Sequence, residues 1–318
     1  MSIIGIDLGG TKVASALFET SGTMYGRREE KLAGRTGREV GELICHEAVA
    51  LRDELTAGLD AVGICVPGIA RINTGTVWAP NIPGWQDYPL RAELASALKL
   101  SAEHIHLESD RSGAILGELW KGSARGCRNA VFLAVGTGIG AGILAEGRIL
   151  RGNSGIAGAI GWMALDRPFE KKYDGIGCFE YHASGKGLLH VYAEMADHAK
   201  PTVLPGSEAN GPSTNSREIL VAAERGDERA LKILNGAIGY WGMAVANLVS
   251  LFNPEKVIFG GGLFGPALRY LPEIREEALR WGQPVAMAEV TLEPSLTGAD
   301  AVLYGAGYLA LKGGIIEY

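Results

Sequence analysis

Residues 2–18 read SIIGIDLGGTKVASALF, and this stretch decides the fold. Apolar runs at 2–6 (SIIGI) and 13–18 (VASALF) flank DLGGTK, which predicts two strands joined by a Gly-Gly turn. A Walker loop is excluded. There the glycines lead into a helix whose first amides hold phosphate, whereas here small and β-branched residues carry the chain back as a strand. The GxGxxG pattern is also absent at this position. The order strand, glycine turn, strand recurs at 130-AVFLAVGTGIGAGILAEGRIL-150, and a third glycine cluster, 259-FGGGL-263, follows a strand at 256–259. One such turn alone reads as a plain hairpin. Two of them, at the heads of two related halves, can clamp a polyphosphate with exposed amides and no helix dipole.

Working outward, the pattern predicts helices at 39–57, 89–99, 111–121, 184–197, 216–225, 227–252, 269–282 and 299–312. Further strands are expected at 61–66, 105–107 and 289–293, and loops at 78–85, 168–180 and 199–215. Strands alternating with helices make an α/β protein. At 318 residues the chain exceeds one ordinary core. Two domains are expected: a small one at 1–117 joined by the C-terminal helix 299–312, and a larger one at 118–298.

Hydrophobic residues make up 47% and charged residues 21%, an ordinary globular balance. A net charge of −6 with no Lys/Arg run argues against a nucleic-acid partner. MSIIGIDLGG lacks the basic start of a signal peptide, and no apolar run approaches the ~20 residues of a membrane helix. A cytoplasmic protein with no membrane partner is expected. Cys45, Cys65, Cys127 and Cys178 form no CxxC pair and read as reduced thiols.

Several polar residues invite chemistry. Asp7 ends the first strand, where it either opens the turn or holds Mg²⁺ through water; the clamp favours the metal role. Thr11, Lys12 and Thr137 add hydroxyl donors and a charge to the turns. Asp110, between the strand 105–107 and a helix, reads equally as a helix cap or as a proton acceptor. Asn81 reads as a turn residue or a ligand contact, and Glu180 as a solvated loop carboxylate or a ligand contact.

These segments together resemble the sugar-kinase/actin/heat-shock superfamily and, within it, the ROK family of repressors and sugar kinases. The resemblance spans essentially the whole chain. It rests on 7-DLGGTK-12, 63-GICVPGIA-70, 80-PNIPGW-85, 108-ESDRSGAILGE-118, 136-GTGIGAGI-143, 155-GIAGAIG-161, 177-GCFEYHASG-185, 226-GDERA-230, 253-NP-254, 258-IFGGG-262 and 300-DAVLYGAGYLAL-311. Starting at the phosphate hairpin, the chain resembles the kinase branch rather than the repressors.

The resemblance implies a two-domain actin-like, ribonuclease-H-like fold with an ATP and substrate cleft between domains, and a homodimer. It implies an ATP-dependent kinase that uses Mg²⁺ and phosphorylates a hydroxyl, expected to be primary, of a sugar or sugar-like polyol. Gly9, Gly10, Thr11, Lys12, Gly136, Thr137 and Gly138 would hold phosphates, and Gly260, Gly261 and Gly262 would lie near the adenosine. Asp110 would accept the hydroxyl proton, with Ser109, Asn81, Ala159, Trp162 and Glu180 at the substrate. The family's Asn is replaced at Ser109 and Ser112, which changes the groups offered to the sugar 4-hydroxyl.

The family's zinc run is reduced to 174-DGIGCFE-180, and the ligating His is replaced by Trp162, so no zinc is expected. In family kinases the stretch AGExGH holds the anomeric end of the sugar; here it reads 157-AGAIGW-162. Trp162 either fills the space of the lost zinc loop or offers a flat face to a sugar ring. The latter suits a glycoside, disaccharide or cyclitol better than free glucose. A non-enzymatic sugar sensor, a free-hexose or amino-sugar kinase, and another superfamily ATPase or acyl-phosphate kinase are the competing readings.

Overall fold

The structure, a computed structural model, describes residues 1–197 and 215–314. They fall into two compact units. One comprises Met1–Ala130, Gly142–Gly158 and the segment from Ser295; the other comprises Val131–Ala141 and Ala159–Pro294.

The chain opens with β1 (Ile3–Leu8), β2 (Lys12–Phe18) and β3 (Met24–Lys31), then α1 (Gly37–Asp53) and β4 (Ala61–Val66). A small hairpin follows, β5 (Ile69–Arg71) and β6 (Thr76–Trp78), then α2 (Leu90–Leu98), β7 (Ile105–Ser109) and α3 (Asp110–Lys121). Next come β8 (Ala130–Val135), β9 (Ile139–Ala145), β10 (Arg148–Ile149), α4 (Cys178–Ala183), α5 (Gly185–Asp197), α6 (Ser216–Glu224) and α7 (Glu228–Phe252). The last elements are β11 (Lys256–Gly260), α8 (Leu271–Trp281), α9 (Pro284–Glu289), β12 (Thr291–Pro294) and α10 (Ala301–Leu311).

The DLGGTK hairpin forms as expected: β1 and β2 pair antiparallel, with Leu8 opposite Val13. The first sheet has the order β3-β2-β1-β4-β7, and β1, β4 and β7 run parallel. Inner strand β4 is buried along its length, so AVGICV reads as a continuous apolar run, and β1 (IIGIDL) is buried except at Asp7. The second sheet has the order β10-β9-β8-β11-β12. Counting only the strands of each sheet in chain order, both read third, second, first, fourth, fifth, so the repeat first seen in the glycine turns extends to strand topology.

Helix α10 lies against β1, β4 and α3. Its approach to β4 is close enough that a Cβ on Gly63 would run into the Ala306 carbonyl. Backbone meets backbone there, which only glycine allows.

Three expectations need correction. β3 (MYGRREEK) is a strand that the sequence pattern does not predict, since most of its residues are charged and exposed; it is an edge, where charge blocks further pairing. The stretch 168–180, expected as loop, holds a 3-10 turn at Lys171–Tyr173 and the start of α4. The strand expected at 289–293 begins only at Thr291. Residues up to Glu289 belong to α9, which starts at Pro284 and is capped by the Gln283 side chain. The loop expected at 199–215 lies, except for Asn215, outside the described residues. Among the described residues no helix is long and apolar enough to cross a membrane. No cysteine is in a disulfide among the described residues, and Cys65, Cys127 and Cys178 are buried.

Candidate active site

In the first unit, parallel pairing places Asp7, Cys65 and Glu108 side by side in register. Strands about 4.8 Å apart put Asp7 about 10 Å across the sheet from Glu108. Asp110 stands two residues further on, at the first turn of α3. Both acids sit where the parallel strands end, the usual ligand edge of such sheets.

The two carboxylates feel each other. Burial, and after it the charge of Asp110, push the Asp7 pKa up to about 7 against the pull of Lys12. Burial also raises Asp110, while Arg111 opposes the rise. The cap of α3 is Ser109, whose Oγ accepts from the Ser112 amide at 3.2 Å. The capping alternative considered for Asp110 therefore falls to its neighbour. Asp110 Oδ1 accepts the amide of Arg111 at 2.8 Å. Ser109 is buried, and its hydroxyl is engaged with Ser112.

The first glycine turn is closed by Gly9 N donating to Lys12 O at 2.9 Å. The Gly10 and Thr11 amides donate to no backbone acceptor among the described residues, and both residues are exposed. Lys12 does not offer a free charge: its Nζ pairs with Glu29 at 2.9 Å, and Glu29 also takes Arg27, which reaches Asp300. Asn81 is exposed, and its Nδ2 stands 2.9 Å from where a Cβ on Gly10 would lie. Trp85, buried and stacked on Tyr88 at 4.3 Å, anchors the segment that carries Asn81.

Two arginines that sequence reasoning passed over shape this edge. Arg151 Nε donates to the buried Glu108 carboxylate at 2.7 Å. Arg111 Nη2 reaches the carbonyls of Gly68 and Gly155, at 3.2 and 3.4 Å. Both tie the loop at 151–155 to its surroundings in this unit. Arg151 belongs to none of the quoted motifs, and Arg111, inside 108-ESDRSGAILGE-118, is overshadowed there by its neighbour Asp110.

In the second unit, Gly136 N donates to Gly138 O at 2.9 Å, and the Thr137 and Gly138 amides have no backbone acceptor among the described residues. Glu180 belongs to this turn. Its Oε2 accepts the Ile139 amide at 2.6 Å and lies 2.8 Å from the Cβ position of Gly138 and 2.9 Å from that of Gly161. It is a half-buried helical residue, not a solvated loop carboxylate. Burial raises its pKa, against the Ile139 bond and the charge of Lys186.

Ala159 precedes a 3-10 turn at Ile160–Trp162. Trp162 is 59% exposed, so its indole does not fill an interior space. Gly260 ends β11; Gly261 (φ +92°) and Gly262 follow it, exposed. A Cβ on Gly261 would meet Val135 O at 2.5 Å. Arg217, also passed over, donates to Gly262 O at 3.2 Å. Among the described residues no group of three His, Cys, Asp or Glu could hold a metal ion. Magnesium held through one carboxylate, water and phosphate oxygens needs no such group.

Known proteins resemble this chain over nearly its whole length. The chain is 31% identical to a glucokinase of Thermotoga maritima over 319 residues, 96% of each chain. It is 33% identical to a xylose repressor of Caldicellulosiruptor bescii over 288 residues, 86% of this chain and 69% of the repressor. The solved ROK-family glucokinase of Streptomyces griseus, in complex with glucose and AMPPNP, superposes with a TM-score of 0.78 at 26% identity, covering 97% of this chain and 99% of the other. Its fold is the actin-like, two-domain α/β fold that the resemblance to the family implied. The ROK family model matches residues 3–313, from the first strand of the DLGGTK hairpin to just past α10, and the chain belongs to that family.

Proposed function

We propose that this chain is an ATP-dependent carbohydrate kinase that transfers the γ-phosphoryl group to a hydroxyl, primary in our reading, of a sugar or sugar-like polyol. One observation carries the reading: two half-buried acids with raised pKa values, Asp7 and Asp110, at one end of the parallel strands. The Gly10 and Thr11 amides, which donate to no backbone acceptor among the described residues, come three and four residues after Asp7. Phosphoryl transfer asks for positioning, charge neutralisation and a late proton acceptor rather than a strong nucleophile. Asp110 is the acceptor; its raised pKa moves it toward the range useful at neutral pH. Asp7 would hold magnesium through water, and its divalent charge would offset the repulsion between the two acids. The amides of Gly10, Thr11, Thr137 and Gly138 bind phosphate oxygens, and Gly260–Gly262, with Arg217, bind the nucleoside end. Asn81 and Glu180 bind sugar hydroxyls. The protein works as a homodimer in the cytoplasm, without nucleic acid or membrane.

The name of the Thermotoga relative supports this reading, as does that of a Salmonella N-acetyl-D-glucosamine kinase 27% identical over 318 residues. At the substrate, Ala159 offers no hydrogen bond, and the exposed Trp162 offers a flat apolar face. Hydroxyls desolvated there without partners cost about 1–3 kcal/mol each. The acceptor is therefore a sugar without a free anomeric hydroxyl, such as a glycoside or disaccharide, or a cyclitol. The repressor relative keeps a sugar sensor as second reading, and the paired acids oppose it. A coupled ADP-release assay over free sugars, methyl glycosides, amino sugars and cyclitols tests both. Acceptor-dependent release that falls roughly 100-fold or more in Asp110→Asn, with ATP binding retained, is expected. Near-native turnover in that variant, or no release with any acceptor, refutes the assignment.

A further inference from the structure

We infer that His182, held by Tyr173, Tyr240 and Asp166, is the positioning residue that sets Glu180 for the acceptor sugar. The inference rests on the reading of Glu180 as a sugar contact. Helix α4 has only six residues. A helix this short has no stability of its own, so its orientation depends on what grips its side chains.

The grip centres on one imidazole. His182 Nε2 lies 2.9 Å from the Tyr173 hydroxyl. The His182 ring stacks on Tyr240 of α7, with centroids 4.5 Å apart and planes 5° from parallel. The Tyr240 hydroxyl donates to Asp166 Oδ2 at 2.8 Å, and Asp166 Oδ1 takes the Arg167 amide at 2.7 Å. One side chain thereby links α4, the 171–173 turn, α7 and the 166–167 segment. Next in sequence to Tyr240, Trp241 Nε1 donates to Ala183 O at 3.0 Å, so α7 holds the end of α4 twice over. Burial lowers the His182 pKa, with Lys172 adding to the effect. The ring is thus neutral near pH 7 and can accept the Tyr173 proton.

Glu180 lies two residues before His182. At about 100° per residue the two side chains leave the helix on roughly opposite faces. The face away from the aromatic cluster presents Glu180 to the 136–139 turn, where it takes the Ile139 amide. Turning α4 about its axis breaks that bond and moves the carboxylate. None of the four cluster residues belongs to the proposed catalytic or binding set.

The test uses full-length His182→Leu, His182→Gln and Tyr240→Phe, with Glu180→Gln as reference. Steady-state KM for acceptor (glucose, or methyl glucoside if it is turned over faster), KM for ATP, kcat and thermal midpoint are measured for each. His182→Leu is expected to raise acceptor KM about tenfold, as for one lost polar contact, with ATP KM within about twofold of wild type. His182→Gln, whose amide can accept from Tyr173 and lie on Tyr240, should restore most of that loss. Tyr240→Phe keeps the stacked ring and tests the Asp166 link should His182→Leu fail to fold; it should raise acceptor KM to a lesser degree. If Glu180→Gln raises acceptor KM while the folded cluster variants change only the thermal midpoint, the positioning inference alone is overturned. If Glu180→Gln leaves acceptor KM unchanged, the sugar-contact reading falls, and the inference with it.

Discussion

Asp7→Asn should make the metal-free protein more stable at pH 8 and no more stable at pH 4. Burial and Asp110 raise the Asp7 pKa from an ordinary 3.8 to about 7 in the folded state. The folded protein therefore binds this proton more tightly than the unfolded chain. Stability falls as pH rises from about 4 to about 7, and above that range the folded state carries the whole cost of an ionised Asp7. A shift of about three units, at about 1.4 kcal/mol each, makes that cost on the order of 4 kcal/mol. Asparagine keeps the shape and never ionises. For a chain of this size, with about 2 °C per kcal/mol, the variant should unfold about 8 °C higher at pH 8. Thermal unfolding followed by circular dichroism in EDTA, from pH 4 to pH 8, measures the difference. Adding magnesium and AMPPNP at pH 8 should narrow it, because wild type gains more from the cation. Parallel stability curves at both ends of the range, or a variant less stable at pH 8, would refute the electrostatic argument whatever the enzyme's substrate.

Glu118→Gln should lower stability by about 2–4 kcal/mol, because its buried carboxylate takes only donors, and an amide group would set N–H against N–H. Those donors include the Ser123 and Thr297 amides and the Ser295 hydroxyl, and the loss is read as a lower denaturation midpoint at constant m-value. Trp162→Ala should leave the thermal midpoint unchanged, since the ring is largely exposed, while cutting kcat/KM on methyl glycosides several-fold more than on glucose; a loss of stability with unchanged preference would assign the indole to packing. Elemental analysis of the purified protein should find zinc well below one per chain, and chelators should not unfold it; stoichiometric zinc would overturn the reading of 174-DGIGCFE-180.

Some features could be read before any coordinates because they are local. The Gly-Gly turn between two short apolar runs predicts a hairpin wherever it occurs, and β1 and β2 form there. The buried parallel strand AVGICV needs no partner to be recognised, since only a strand covered on both faces is apolar throughout. Other elements carry no such signal. β3 is almost entirely polar and becomes a strand because β2 offers it an edge. α4 is too short for helical periodicity to register, and it exists because α7 and the 171–173 turn hold it.

The candidate site divides along the same line. The alternation of strands and helices, the repeat of two glycine hairpins and the identity of the acids at Asp7, Asp110 and Glu180 were determined by the sequence alone, because each depends on residues close together in the chain. Only the tertiary structure decided which of those groups are buried, paired or free. It gave the cap of α3 to Ser109 rather than Asp110, drew Lys12 into an ion pair with Glu29, and set Glu180 on the Ile139 amide 41 residues away. Electrostatics and hydrogen bonding act through space. A pattern along the chain can name the charged residue, but only the folded surroundings set its partner, its solvation and its proton.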